Sequence, residues 1–252
     1  KNVMTDIPVL VDVKESLQKI LPLIQEKKYP AWYKRFEDKK SIEFNEVINY
    51  DLKPSKEELT MAEVVETINK ATDREAVIVS DVGQHQMVAC RYGSYKKSRS
   101  HITSGGLGTM GFSLPAAIGA ILGNPLRDVV AVFGDGGFQM TLQELGTIFQ
   151  YGIAVKILVL NNNFLGMVRQ WQEMFFAGRY ASTEMKNPDF VAIAKAYQIA
   201  SERVSLRKYL KNAVEAMIAT DGPYFLEVIV EREDNVFPMV PTGASVSEIR
   251  LK

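Results

Sequence analysis

Asp135 stands among three glycines, Gly134, Gly136 and Gly137, where the apolar run DVVAVF ends. One strand-helix-strand step further on, Asn161, Asn162 and Asn163 close a second apolar run, AVKILVL. A carboxylate, an amide oxygen and a backbone carbonyl make half of an octahedral shell. Such a set suits a hard cation like Mg2+, which takes its other ligands from phosphates and water. Gly136 and Gly137 precede helix-compatible sequence, so open N–H groups and the helix dipole there suit a phosphate. Glycine also lets an anion approach the backbone. The expectation is that Asp135 and Asn162 hold a metal and the two glycines face a diphosphate.

Each feature has a plainer reading. Asp, Gly and Asn are common turn residues, and GDGG alone is turn composition. The Asn pair changes the balance, because neighbouring strand ends lie about 5 Å apart. A third loop of the same kind is Asp81-Val82-Gly83-Gln84-His85. Gly106-Leu107-Gly108-Thr109-Met110-Gly111 matches a dinucleotide fingerprint. That fingerprint must follow an apolar strand, and here polar sequence precedes it. It is read as a Gly-rich loop before a buried helix. His85 and His101, the only histidines, read as hydrogen-bonded structural residues, His85 gaining weight from its loop. Met167, Val168, Trp171 and Met174 form a helical stripe that is either core or pocket wall. Cys90 reads as a small buried hydrophobe.

These residues need a frame. The runs EAVIVSDVG, RDVVAVFGD, AVKILVLNNN and YFLEVIVER read as strands. Helices are expected at AEVVETINKA, residues 109–123, 139–152 and LGMVRQWQEMF, then at DFVAIAKAYQI and SLRKYLKNAVEAMIAT. Thr60 and Glu63 have the form of a capping box. Continuous apolar strands alternating with helices imply an α/β fold, a doubly wound, mostly parallel sheet with helices on both faces. Ligands of such sheets sit beyond the carboxyl ends of the strands, where all three loops fall. Nearer the start, PVLVDV reads as a strand before a helix in KESLQKILPLIQEK. Residues 1–28 are expected to be the tail of a preceding α/β domain, 29–58 a linker with a short helix at AWYKRFEDKK, and 59–252 the main domain with a tail.

Thirty basic and thirty acidic residues cancel, so bulk charge points to neither nucleic acid nor a membrane surface. At 46% hydrophobic the chain can bury a sizeable core, yet no apolar run is long enough to span a bilayer. One cysteine excludes an internal disulfide framework and fits a reducing compartment. A cytoplasmic, bacterial-type protein is expected.

GDG followed by NN across one strand-helix-strand step resembles the metal motif of thiamine-diphosphate enzymes. SDVGQHQM, TSGGLGTMGFSLPAAIGA, GDGGFQMTLQEL, LNNNFLGMVRQWQEMF, RYASTEMKNPDF and NVFPMVPTGAS together resemble the catalytic large subunits of acetolactate (acetohydroxyacid) synthases, from about residue 60 onward. The resemblance implies a thiamine-diphosphate-binding fold of the diphosphate type. It implies Mg2+ held by Asp135, Asn162 and the backbone carbonyl of Phe164, whose side chain is then immaterial. Gly136 and Gly137 would contact the diphosphate, and Val82, Gly83, Gln84 and His85 would form its second loop. Gly108 and Met110 fall where the family holds the aminopyrimidine, and Met167 and Trp171 where it lines the substrate pocket. The implied reaction condenses pyruvate with pyruvate or 2-ketobutyrate, losing CO2, in branched-chain amino-acid synthesis. No catalytic residue is expected on this chain, since the activating glutamate belongs to a separate pyrimidine-binding domain. The family's FAD belongs mainly to the central domain; Val11 stands where glycine is expected, so no stable FAD binding is expected here. A homodimer or higher oligomer and a small regulatory subunit are the implied protein partners. The alternative is another thiamine-diphosphate carboligase or a 2-keto acid decarboxylase.

Overall fold

A computed structural model describes residues 4–251. The chain divides into two compact units, Lys1–Ile42 and Glu43–Lys252. In the first, Asp12 caps helix α1 (Val13–Ile20) by accepting the N–H groups of Lys14 and Glu15. A 3-10 turn (Leu21–Leu23) follows, then helix α2 (Pro30–Glu43). PVLVDV forms no strand; Val9, Leu10 and Val11 are exposed. A strand needs a neighbouring ladder, and among the described residues this run has none. The stretch expected as a linker is helical from Pro30, passing through a π-turn (Phe44–Ile48) into helix α3 (Asn49–Leu52). Val47 is buried, which draws this turn into the second unit.

The second unit is built on six parallel strands: β1 (Val77–Ser80), β2 (His101–Thr103), β3 (Val129–Gly134), β4 (Lys156–Asn161), β5 (Ala200–Val204) and β6 (Tyr224–Ile229). Their order across the sheet is β2-β1-β3-β4-β6-β5. The helices are α4 (Met61–Ala71), α5 (Gln84–Tyr92), α6 (Ser113–Gly123), α7 (Asp135–Thr141), α8 (Leu145–Tyr151), α9 (Gly166–Phe175), α10 (Phe190–Ala196) and α11 (Arg207–Ala219). Successive strand side chains point to opposite faces. Val130, Val132, Leu158 and Leu160 therefore pack with α4, α5 and α11, while Ala131, Phe133, Ile157 and Val159 pack with α6, α7, α8 and α10. Both faces are covered, which is why the strands read as unbroken apolar runs. The chain leaves β1 toward β2 and returns through β3 on β1's other side. The carboxyl ends of β1 and β3 thus flank the topological switch point.

Several boundaries differ from the sequence reading. β5 is ASERV, polar and half-exposed at the sheet edge, and β2 has three residues, so neither carries a strand's apolar signature. Residues 109–112 are turn, and α6 starts at Ser113. The helix expected over 139–152 begins earlier and breaks in two. GDGG opens α7 directly, and Thr141 leaves helical geometry as its hydroxyl donates to the Gly111 carbonyl. Cys90 is exposed, because α5 turns Val88 and Ala89 inward and the next residue outward. The His101 ring meets the buried Ser80 hydroxyl at 2.9 Å.

Phe138 is the hub of the second face. The rings of Phe133, Phe190 and Phe225 lie 5.7, 5.4 and 5.2 Å from it, and it is fully buried. Phe138→Ala is expected to cost about 3–5 kcal/mol in urea unfolding; a loss under about 1 kcal/mol would mean the cluster carries little.

Candidate active site

β3 ends at Gly134, extended at φ −87° and ψ 160°, and α7 begins on the next residue. Asp135 therefore lies in the first turn of the helix at the sheet's carboxyl edge, 1% exposed. Asn187 Nδ2 donates to its Oδ2 at 2.6 Å, and the backbone N–H groups of Gly136 and Asn163 also face the carboxylate. Among the described residues no basic side chain pairs with it. Burial dominates and pushes its pKa from 3.8 up to about 6.

The three asparagines have separate tasks. Asn161 Oδ1 accepts the N–H of Asn163 at 3.0 Å, and its Nδ2 donates to the buried Glu227 at 2.7 Å. Asn162 Oδ1 accepts the N–H of Phe164 at 3.2 Å. Both are Asx-type turns. Asn163 adopts φ 56°, a left-handed conformation that Asn tolerates better than most residues. Phe164 follows, its ring held between two guanidinium groups. Arg169 lies 5.4 Å and Arg232 4.8 Å from its centroid. The side chain read as immaterial is thus clamped.

These elements enclose a cavity of about 200 Å3. Val82, Gly83, Gln84, His85, Met110, Asp135, Gly136, Gly137, Asn162, Phe164 and Met167 all line it. Two expected residues stand outside its lining. Gly108 sits in an exposed turn at φ +66°, and Trp171 lies one helical turn beyond Met167, half-exposed and packed on Phe175 at 4.9 Å. The sequence reading missed Met61, Met87 and Leu165, which add an apolar wall beside Val168 of the expected stripe. It also missed Asn187, whose Nδ2 reaches Asp135, Asn161 and Asn163 together. The only trace of Asn187 in the sequence is the turn-like KNPD.

The glycines serve close packing more than open access. A Cβ on Gly137 would stand 1.9 Å from Asp81 Oδ2, and one on Gly136 would meet Leu165 at 2.8 Å. Gly83, at φ 151° and ψ −162°, and Gly134 both give way to the His85 ring. Asp81 is fully buried and accepts the N–H groups of Gly111 and Ser113. It pins the Gly-rich loop beneath β1, which explains that loop without a nucleotide. Burial pushes the His85 pKa down to about 3, so the ring is neutral at physiological pH. Its Nε2 is buried without a partner. The Gln84 side chain is spent on protein contacts, with Oε1 toward Asn162 and Nε2 toward Gln170 and the Asp234 carbonyl.

The donor set fits a metal-bridged diphosphate. A buried carboxylate with no charged partner calls for a cation, and Asn162 and Phe164 line the same cavity. The N-termini of α5 and α7 both open onto it, offering N–H groups to an anion. The thioether and aliphatic wall suits a flat ring.

Comparison with known proteins places the chain in a family. Residues 81–228 match the family described as "Thiamine pyrophosphate enzyme, C-terminal TPP binding domain". The chain belongs to this family. Within thiamine pyrophosphate enzymes it is similar to the acetolactate synthase large subunit of Lactococcus lactis, 41% identical over 99% of this chain and 43% of that protein. The Escherichia coli acetolactate synthase isozyme 2 large subunit is 46% identical over 71% of this chain and 33% of its own length. Acetolactate synthase 1 of Oryza sativa, a chloroplastic protein, is 38% identical over all of this chain and 40% of its own. The chain thus spans less than half of each of these relatives. Among solved structures, a Rhodococcus jostii thiamine diphosphate-dependent 4-hydroxybenzoylformate decarboxylase superposes with a TM-score of 0.66 at 26% identity, over 71% of this chain and 34% of that one. No helix of the described residues is long and apolar enough to cross a membrane.

The raised Asp135 pKa has a stability consequence. Its folded value exceeds its ordinary one, so the stabilisation is complete below about pH 4 and is lost as pH rises through about 6. In EDTA, Asp135→Asn is expected to gain on the wild type between pH 4 and pH 8 by up to about 3 kcal/mol. Urea unfolding at both pH values checks this, and a pH-independent difference would contradict it.

Proposed function

We propose that this chain is the diphosphate-binding, C-terminal part of an acetolactate synthase large subunit. The reaction condenses pyruvate with a second 2-keto acid, pyruvate or 2-ketobutyrate, with loss of CO2. The products are 2-acetolactate or 2-aceto-2-hydroxybutyrate, precursors in branched-chain amino-acid synthesis. The choice of reaction rests on the acetolactate synthase relatives, whose similarity runs along the whole chain. The cofactor half is carried by one observation: the buried, uncompensated Asp135 carboxylate shares a cavity with Asn162, Phe164 and two helix N-termini.

When bound, thiamine diphosphate supplies a thiazolium ring that serves as electron sink for the decarboxylation. This chain's part is to bind and orient. Asp135, Asn162 and the Phe164 carbonyl hold Mg2+. Gly136 and Gly137, the first sharing its N–H with the Asp135 carboxylate, and the Val82–His85 loop at the start of α5 receive the diphosphate. Met110 and the turn at Gly108 support the aminopyrimidine side. Met167 faces the 2-keto acids from the cavity wall, and Trp171, one helical turn further along α9 and outside that lining, biases the acceptor. Burial holds His85 in its neutral form. The group that activates the cofactor lies on a pyrimidine-binding domain outside this chain, so residues 1–28 close a central domain and the chain alone makes no acetolactate. The whole enzyme is a homodimer or larger, takes FAD in its central domain and accepts a small regulatory subunit. It works in the cytoplasm. The decarboxylase that superposes on this fold favours the alternative, another 2-keto acid decarboxylase or carboligase of the same cofactor class.

Calorimetric titration of thiamine diphosphate with Mg2+ or EDTA tests the site. Mg2+-dependent binding is expected, lost in Asp135→Ala. No Mg2+-dependent binding, either to this chain or to a version extended to the relatives' full length, sinks the metal assignment. In the extended protein, product from pyruvate that shifts to 2-aceto-2-hydroxybutyrate when 2-ketobutyrate is added separates the synthase from a decarboxylase.

A further inference from the structure

Asn162 carries a nitrogen and an oxygen of nearly equal size. Only one of them serves a cation, and the Phe164 N–H, donating to Oδ1 at 3.2 Å, already favours one orientation. The Asn162 Nδ2 donates to Gln84 Oε1 at 3.3 Å. Gln84 in turn points Nε2 at two acceptors, Gln170 Oε1 at 3.1 Å and the Asp234 carbonyl at 2.9 Å. Gln170 meets the backbone of Val236 in both directions. The Val236 N–H donates to its Oε1 at 3.0 Å, and its Nε2 donates to the Val236 carbonyl at 3.0 Å. Gln170 is fully buried and Gln84 4% exposed.

Read from Val236, the series has a single solution. A backbone N–H always donates and a carbonyl always accepts. Val236 therefore fixes which end of the Gln170 amide is which. Gln170 Oε1, with the Asp234 carbonyl, then draws Nε2 of Gln84 toward itself. That leaves Gln84 Oε1 toward Asn162, where it accepts from Nδ2 and agrees with the Phe164 N–H on Oδ1. Reversing any one amide sets donor against donor or acceptor against acceptor in a buried place. Gly166 makes the approach possible. A Cβ there would stand 2.0 Å from Gln84 Oε1 and 3.1 Å from Asn162 Nδ2.

We propose that Gln170 is a positioning residue that, through Gln84 and from the backbone of Val236, locks the Asn162 amide in the orientation the Phe164 N–H favours. The role concerns the metal site only if Asn162 is a ligand, as proposed above. Outer groups that orient ligands are worth about 10–100-fold in metal affinity.

A useful control sits on the same helix. Gln172 clasps Ala181 in the same two-way manner, with bonds of 2.8 and 3.1 Å, and is not joined to Asn162. Three variants of the 252-residue chain are compared with the wild type: Gln170→Leu, Gly166→Ala and Gln172→Leu. The first measurement is the heteronuclear NOE of the Asn162 side-chain amide in the ligand-free chain. The second is calorimetry of Mg2+ at saturating thiamine diphosphate. The expected result is a mobile Asn162 amide in Gln170→Leu and Gly166→Ala but not in Gln172→Leu. Mg2+ affinity is expected to fall by at least about tenfold in Gln170→Leu. If Gln170→Leu does not fold, Gly166→Ala, which keeps every amide of the series, decides the outcome. An Asn162 amide as ordered in both as in the wild type overturns the proposal, whatever the calorimetry reads. A released Asn162 with no Mg2+-dependent binding in the wild type supports the relay and counts against the metal reading alone.

Discussion

Burying the Asp135 carboxylate costs free energy that neutral N–H donors offset only in part. Much of the second unit is arranged around that demand. β3 delivers the carboxylate to the sheet edge, and the first turn of α7 supplies one donor. The left-handed turn at Asn163 supplies another, and Asn187 crosses from the segment before α10 to supply a third. Asn187 also gathers Asn161 and Asn163, so three side-chain oxygens from two strand ends converge on one nitrogen. None of these donors carries charge. That lack of charge is what the proposed cation would make good.

Close approach is the second theme. Gly83, Gly134, Gly136, Gly137 and Gly166 each stand where a Cβ would strike protein. The atoms that would be struck belong to Asp81, Gln84, His85, Leu165 and Met185. The cavity is small-walled because its wall is doubly packed, and the conformational freedom of glycine is needed chiefly at Gly83.

The sheet was legible because its central strands are buried on both faces, and both-face burial writes an unbroken apolar run. β5 was not, because ASERV lies at an edge where Arg203 pairs with Glu227 and polar side chains are satisfied. PVLVDV carried the strand signature without a ladder to join. GDGG and NNN announced the site because strand-end loops with a carboxylate and amides have few other reasons to recur one βαβ step apart. Asn187 stayed hidden, since a single Asn in a turn has no periodicity to betray it. So did the clamp on Phe164, whose two arginines are five and sixty-eight positions away in sequence and adjacent only in space.

The segment after β6 illustrates a different kind of constraint. Val230 donates to the Asn161 carbonyl, Glu231 to that of Leu59, and Val236 meets Gln170 with both of its backbone groups. None of these bonds involves a side chain of the segment. These bonds therefore constrain its length independently of its side chains, of which Arg232 also reaches the Phe164 ring. Adding or deleting one residue between Ile229 and Val236 would present another peptide unit to Gln170. Along this stretch homologous chains are expected to differ in spelling and agree in count.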